Sequence, residues 1–162
     1  MKTLVVYDSV FGNTERIARA MGGAFGGRGE VAVVRPDDAA GERLADLRLL
    51  VVGSPTRGFR PTEAVAGFLQ RASASGLGGI KVAAFDTRLS AEETKSPIVR
   101  FVVKRGGYAA KRIADELARI GGELVAPPEG FYVLDSQGPL RDGELERAAG
   151  WAKRIAAASL PG

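Results

Sequence analysis

The chain has 162 residues, a formal net charge of +4, and 45% hydrophobic and 26% charged residues, the proportions of an ordinary globular domain. It contains no cysteine and no histidine, which excludes disulfides, thiolate metal sites, Cys–His nucleophile pairs and imidazole general bases. Any redox chemistry therefore needs an organic cofactor.

Taken in chain order, the first apolar run is Thr3–Tyr7 (TLVVY). It is broken at Asp8 and lacks a small-residue cleavage site, so it reads as a strand and not as a leader. Thr14–Phe25 follows with Ile17, Ala18, Met21 and Phe25 on one helical stripe. Glu30–Val34 reads as a second strand, and 36–46 as a connection with one short helix. Leu47–Val52 is a third strand, followed by a helix over Thr62–Ala72 behind Pro61. Ile80–Phe85 is a fourth strand, and Tyr108–Ile120 a helix stopped by Gly121 and Gly122. A fifth strand is split into Glu123–Ala126 and Gly130–Leu134, because Pro127 and Pro128 do not fit inside a central strand. Gly143–Leu160 closes the chain as a helix with Leu145, Ala149, Ala152 and Ile155 turned inward and Trp151 packed on the sheet.

Near-continuous Val, Leu and Ala in the strands suits parallel pairing covered on both faces. Five strands alternating with helices predict a single α/β domain over 1–162, a doubly wound five-stranded parallel sheet ordered 2-1-3-4-5 with helices on both faces. Ligands of such sheets gather beyond the carboxyl ends of the strands, where the strand order reverses. The first strand runs through Ser9, Gly12, Asn13 and Thr14 straight into a helix. Open N–H groups at a helix start attract an anion. Hydroxyl and amide donors without lysine or arginine suit a monophosphate better than a nucleoside triphosphate with magnesium. A plain helix cap with a turn glycine explains the same residues equally well in isolation. The third strand ends in Gly53-Ser54-Pro55-Thr56-Arg57-Gly58-Phe59, a loop able to hold a flat polar ring against Phe59.

Over essentially its whole length the sequence resembles the flavodoxin family, and two segments carry the likeness. YDSVFGNTERIA resembles the family's phosphate loop, and GSPTRG the loop bordering the flavin. The resemblance implies flavin mononucleotide (FMN) as cofactor. Its phosphate would be held by Ser9, Gly12, Asn13 and Thr14 with the amides of Val10 and Phe11. Ser54, Pro55, Thr56, Arg57 and Gly58 would line the rest of the cofactor. A third loop would follow strand four at Phe85, Asp86, Thr87 and Arg88. Phe11, where many flavodoxins carry a hydroxyl, is similar to the flavodoxin-like domains of flavodiiron proteins. The tyrosine that commonly stacks on the flavin is missing after strand four, which leaves that face to Arg88 or Leu89.

The resemblance implies an electron-transfer protein without catalytic residues or metal. The alternatives are an FMN-dependent quinone or small-molecule reductase, and a flavin-free binding module on the same fold. The basic balance differs from the acidic carriers of the family and points to an acidic redox partner protein. Scattered charges with few interleaved aromatics argue against nucleic acid. Without an apolar run of about 18 residues, no membrane insertion is expected; the expected setting is cytoplasmic, as a monomer or weak dimer. Residues 89–107 form an unusually long connection for such a fold, read either as a lid or docking loop beside the flavin or as packing over the sheet.

Overall fold

A computed structural model describes residues 2–27, 29–41, 44–89, 97–98 and 108–161. The 89–107 connection lies almost wholly outside them.

Among the described residues one sheet holds six strands. These are β1 (Lys2–Tyr7), β2 (Glu30–Val34), β3 (Leu49–Pro55), β4 (Lys81–Arg88), β5 (Glu123–Leu124) and β6 (Glu129–Tyr132). All pairings are parallel and the order is β2-β1-β3-β4-β5, as the alternation predicted, with β6 also paired to β4. The last strand is split as expected: β5 joins β4 at Lys81 and Val82, β6 rejoins it at Phe85–Arg88, and the prolines sit in the gap.

Among the described residues the sheet is covered by α1 (Asn13–Phe25), α2 (Glu63–Ser75), α3 (Ala109–Arg119) and α4 (Glu144–Ala158). The 36–46 segment is two 3-10 turns, Asp38–Gly41 and Leu44–Asp46, where one short helix was expected. Strand alternation sends Leu4, Val6, Leu50, Val52, Val82 and Ala84 against α2 and α3. Val5, Leu49, Val51, Ala83 and Phe85 face α1 and α4. On α4 the inner stripe is Ala148, Trp151, Ala152, Ile155 and Ala156; Ala149 is only half-buried, one position off the stripe.

Two strands run further than expected. β3 continues through Gly53, Ser54 and Pro55, and β4 through Asp86, Thr87 and Arg88, because their pairing carries on as Ser54 with Asp86 and Pro55 with Thr87. Phe85 is therefore a strand residue and not part of a loop. Its ring is fully buried, edge-on to Phe131 and Trp151 with centroids 6.1 and 6.4 Å away. Its cross-strand neighbour is Gly53, where a Cβ would fall 2.0 Å from the Phe85 ring. Glycine is required there because the ring occupies the space of a side chain.

The outer edge of β6 is closed by side chains and a loop. The Tyr132 N–H donates to Glu144 and the Gly130 carbonyl accepts from Arg147, while the Tyr132 carbonyl accepts from the Arg141 N–H. Arg147 also chelates Glu144, reaches Glu129, and lies over the Phe131 ring. Burial raises the Glu144 carboxyl, but Arg147 and the Tyr132 amide outweigh it and hold the group below the ordinary glutamate range.

Candidate functional site

The carboxyl ends of β1, β3 and β4 open into a cavity of about 540 Å³. This size lies within the ~300–1,000 Å³ typical of cofactor clefts. It sits where the order reverses between β1 and β3, the position that doubly wound sheets use for ligands.

One wall is the β1–α1 loop. The residue preceding α1 is Gly12, at φ 93°, and it offers no side chain to cap the helix. Ser9 takes over that role from a distance: its Oγ accepts the N–H of Gly12 at 3.1 Å and of Glu15 at 3.2 Å. The N–H groups of Val10, Phe11, Asn13 and Thr14 have no acceptor among the described residues. The side chain that takes up a first-turn amide is thus Ser9, three residues before Gly12, and not the cap residue itself. Four donors and the positive end of α1 converge on the cavity, an arrangement suited to an anion.

The loop is braced from three sides. Thr14 and Thr87 share a buried hydroxyl–hydroxyl hydrogen bond of 2.8 Å that ties α1 to β4. The Asn13 amide donates to the Gln137 carbonyl, holding the 135–139 turn against the loop. Arg35, directly after β2, donates to Asp8 Oδ1 at 3.1 Å and to the Ser9 carbonyl at 3.2 Å. Asp8 is thus engaged by Arg35 and the Ser9 N–H.

The second wall is Pro55, Thr56 and the tight turn Arg57-Gly58-Phe59-Arg60. Arg57 and Arg60 exchange two backbone hydrogen bonds, and both central residues are left-handed, at φ 57° for Gly58 and 65° for Phe59. A left-handed phenylalanine is strained by about 1 kcal/mol or more. Arg112 steadies it by donating to the Phe59 carbonyl.

The third wall is Thr87, Arg88, Leu89 and Tyr108. Asp86 is fully buried behind it, gripped by Arg88 at 2.6 and 2.9 Å. Asp86 also accepts the Ala110 N–H, and Thr56 accepts the Ala109 N–H. Together they cap α3, whose own flanking residue Tyr108 provides no side-chain cap. Burial pushes the Asp86 carboxyl up, against the pull of Arg88, the Ala110 amide and Thr56.

Of the sixteen residues singled out from the sequence, the cavity is lined by Ser9, Val10, Phe11, Asn13, Thr14, Pro55, Thr56, Arg57, Gly58, Phe59, Thr87 and Arg88. Four stand outside the lining. Gly12 shapes the turn, and Ser54 is buried with its hydroxyl accepting the Thr62 N–H. Phe85 belongs to the core, and Asp86 caps α3. The placement of this stretch in a loop is thereby corrected: Asp86, Thr87 and Arg88 continue β4 beyond Phe85, the last residue of the expected strand, and alternation turns Phe85 and Asp86 to opposite buried faces.

Sequence reasoning missed Tyr108, Val133, Ser136 and Gln137, which also line the cavity. The last three follow β6 at the same carboxyl edge, so the edge rule applied to the second half of the split strand would have found them. Tyr108 had no such signal, because its place depends on how α3 returns to the sheet. It supplies an aromatic face where none was expected after strand four.

The strand order, with a cleft at its reversal point, defines a doubly wound α/β protein. Residues 4–130 match the flavodoxin domain family, and the chain belongs to that family. Among solved structures it is similar to a flavodoxin from the domain Archaea (24% identity, TM-score 0.78), with 98% of this chain and 99% of that one covered. It is also similar to oxidised flavodoxin 1 of Bacillus cereus (20% identity, TM-score 0.77), covering 97% and 98%. Rubredoxin oxygen:oxidoreductase of Desulfovibrio gigas is similar over a part of its length (23% identity, TM-score 0.74), with 98% of this chain covering 36% of that one. No curated protein matches the sequence.

Proposed function

We propose that this protein binds FMN in the cavity at the β1, β3 and β4 ends and serves as an electron carrier for a protein partner. The observation that carries the reading is the set of four amide N–H groups without acceptors at Val10, Phe11, Asn13 and Thr14, beside the Ser9 and Thr14 hydroxyls. These groups would hold the phosphate. Thr56, Arg57, Gly58, Phe59, Arg88 and Tyr108 would surround the remainder. Bound there, FMN would supply the reversible electron transfer that no side chain of this chain provides.

A carrier fits the lining better than a substrate-turning enzyme. The ionisable side chains among the described lining residues are Arg57, Arg88 and Tyr108, with no carboxylate to act as general acid or base. Arg88 is balanced by Asp86, and the Arg57 guanidinium, which has no carboxylate partner among the described residues, would favour added negative charge in the cavity. Among the described residues no helix is long and apolar enough to cross a membrane.

The test is FMN titration of the purified protein, followed by absorption and fluorescence. Binding one FMN with quenched fluorescence and retained bands near about 375 and 450 nm, with weaker binding of riboflavin, is the expected result. Equal affinity for riboflavin would overturn the phosphate assignment. No quenching at high protein concentration would overturn FMN binding altogether.

A further inference from the structure

A second groove of about 590 Å³ runs between α2 and α3, and no part of the proposed cofactor site uses it. Its floor is apolar, from Pro61, Ala66 and Leu69, and arginines stand on its rim. Arg119 is neutralised by Glu116, three residues back on its own helix. Arg60 and Arg112 have no carboxylate partner among the described residues; Arg112 donates instead to the Phe59 carbonyl. Arg57, on the other side of the same turn, is likewise without one. Glu63 is the remaining acid of the groove, so this end carries an excess of positive charge.

The Arg57–Arg60 turn is the wall shared by the two spaces. Arg57, Gly58 and Phe59 line the cofactor cavity, while Arg60 and Pro61 line the groove. The turn pairs the backbones of Arg57 and Arg60 and holds Phe59 in the left-handed region, and both arginine side chains are exposed.

We infer that the groove and the arginine turn form the docking surface for an acidic redox protein, which places a carboxylate-rich segment between α2 and α3. Carboxylates on Arg60, Arg112 and Arg57 would pair with guanidinium groups that have no acidic partner among the described residues, and would steer the encounter from a distance. Only the 57–60 turn would then separate the partner from the cofactor cavity. This partner assignment rests on the electron-carrier reading, but its test does not depend on FMN.

The probe is a fluorescein-labelled polyglutamate peptide of about ten residues, followed by anisotropy at low and high salt. Wild-type protein is compared with R60Q/R112Q, and with K153Q/R154Q on α4, which removes the same charge from the other face of the sheet. The expected result is binding that weakens with salt, about tenfold weaker in R60Q/R112Q and changed less than about twofold in K153Q/R154Q. Equal losses in both variants would reduce the effect to net charge and overturn the docking surface. So would undiminished binding in R60Q/R112Q. Displacement of the peptide by pyrophosphate at matched ionic strength would make the groove a small-anion site and overturn the protein partner. FMN titration of the wild-type protein separates the two readings: peptide binding that R60Q/R112Q abolishes in a protein that takes up no FMN removes only the carrier, and FMN binding without peptide binding removes only the docking surface.

Discussion

The Arg88 guanidinium lies 3.6 Å from the centroid of the Tyr108 ring, and its opposite surroundings include Gly130, where a Cβ would fall 2.2 Å from Nε. Asp86 grips the same group from the side, at 2.6 and 2.9 Å. One arginine thus links β4, the β6 backbone and the residue that opens α3.

Truncating Arg88 to Met removes both hydrogen bonds to a fully buried carboxylate. A stability loss of about 3–5 kcal/mol is expected, since an unpaired buried charge costs more than the pair contributes. Urea unfolding measures it, and D86L/R88M should recover a large part. A loss below about 1 kcal/mol in R88M would show that Asp86 is satisfied without Arg88.

Gly53→Ala drives a methyl group to within 2.0 Å of the Phe85 ring. The ring is fixed edge-on against Phe131 and Trp151 and has nowhere to retreat. Destabilisation of about 1–3 kcal/mol or more is expected. In the background of Phe85→Leu the same alanine should cost distinctly less, a coupling that a double-mutant cycle reads directly.

Phe59 sits at φ 65°. Replacing it with Gly should raise stability by about 1 kcal/mol, seen as a higher thermal midpoint. The same change strips an aromatic wall from the cavity, so FMN affinity should fall while stability rises. Movement of both quantities in the same direction would mean that the ring contributes to folding more than to the site.

Glu144 is held below its ordinary range, so its contribution is complete above the unfolded glutamate value and is lost as pH falls through the lower folded value. Its share of the stability should therefore hold constant down to the ordinary glutamate range and drop only as pH falls below that range. Glu144→Gln should be less stable at neutral pH and show a shallower decline. An unchanged slope in the variant would assign the acid sensitivity to other carboxylates.

Much of this architecture was legible from residue spacing. The Ile17, Ala18, Met21 and Phe25 stripe, the unbroken apolar strands and the Pro127-Pro128 interruption each pointed to one local structure, and the parallel order followed from their alternation. Strand ends were harder. Gly53-Ser54-Pro55 and Asp86-Thr87-Arg88 have the composition of loops, yet mutual pairing extends both strands through them. Burial of Asp86 could not be read either, because it depends on Arg88 and on the start of α3, which is far away in sequence. Residues at the carboxyl edge were found after β1, β3 and β4, while Val133, Ser136 and Gln137 after the split strand were missed. Tyr108, brought in by a returning helix, was missed as well.

The closed edge of β6 bears on how molecules of this protein behave beside one another. With the outward Tyr132 N–H held by Glu144, the Gly130 carbonyl by Arg147 and the Tyr132 carbonyl by Arg141, a second molecule finds little backbone with which to extend the sheet. Two of those three caps depend on charge. Acid that protonates Glu144 loosens the first and deprives Arg147 of its anchor, and the sheet then offers a growing end. Because Glu144 is held below the ordinary glutamate range, this margin stays closed until the pH has fallen below that range.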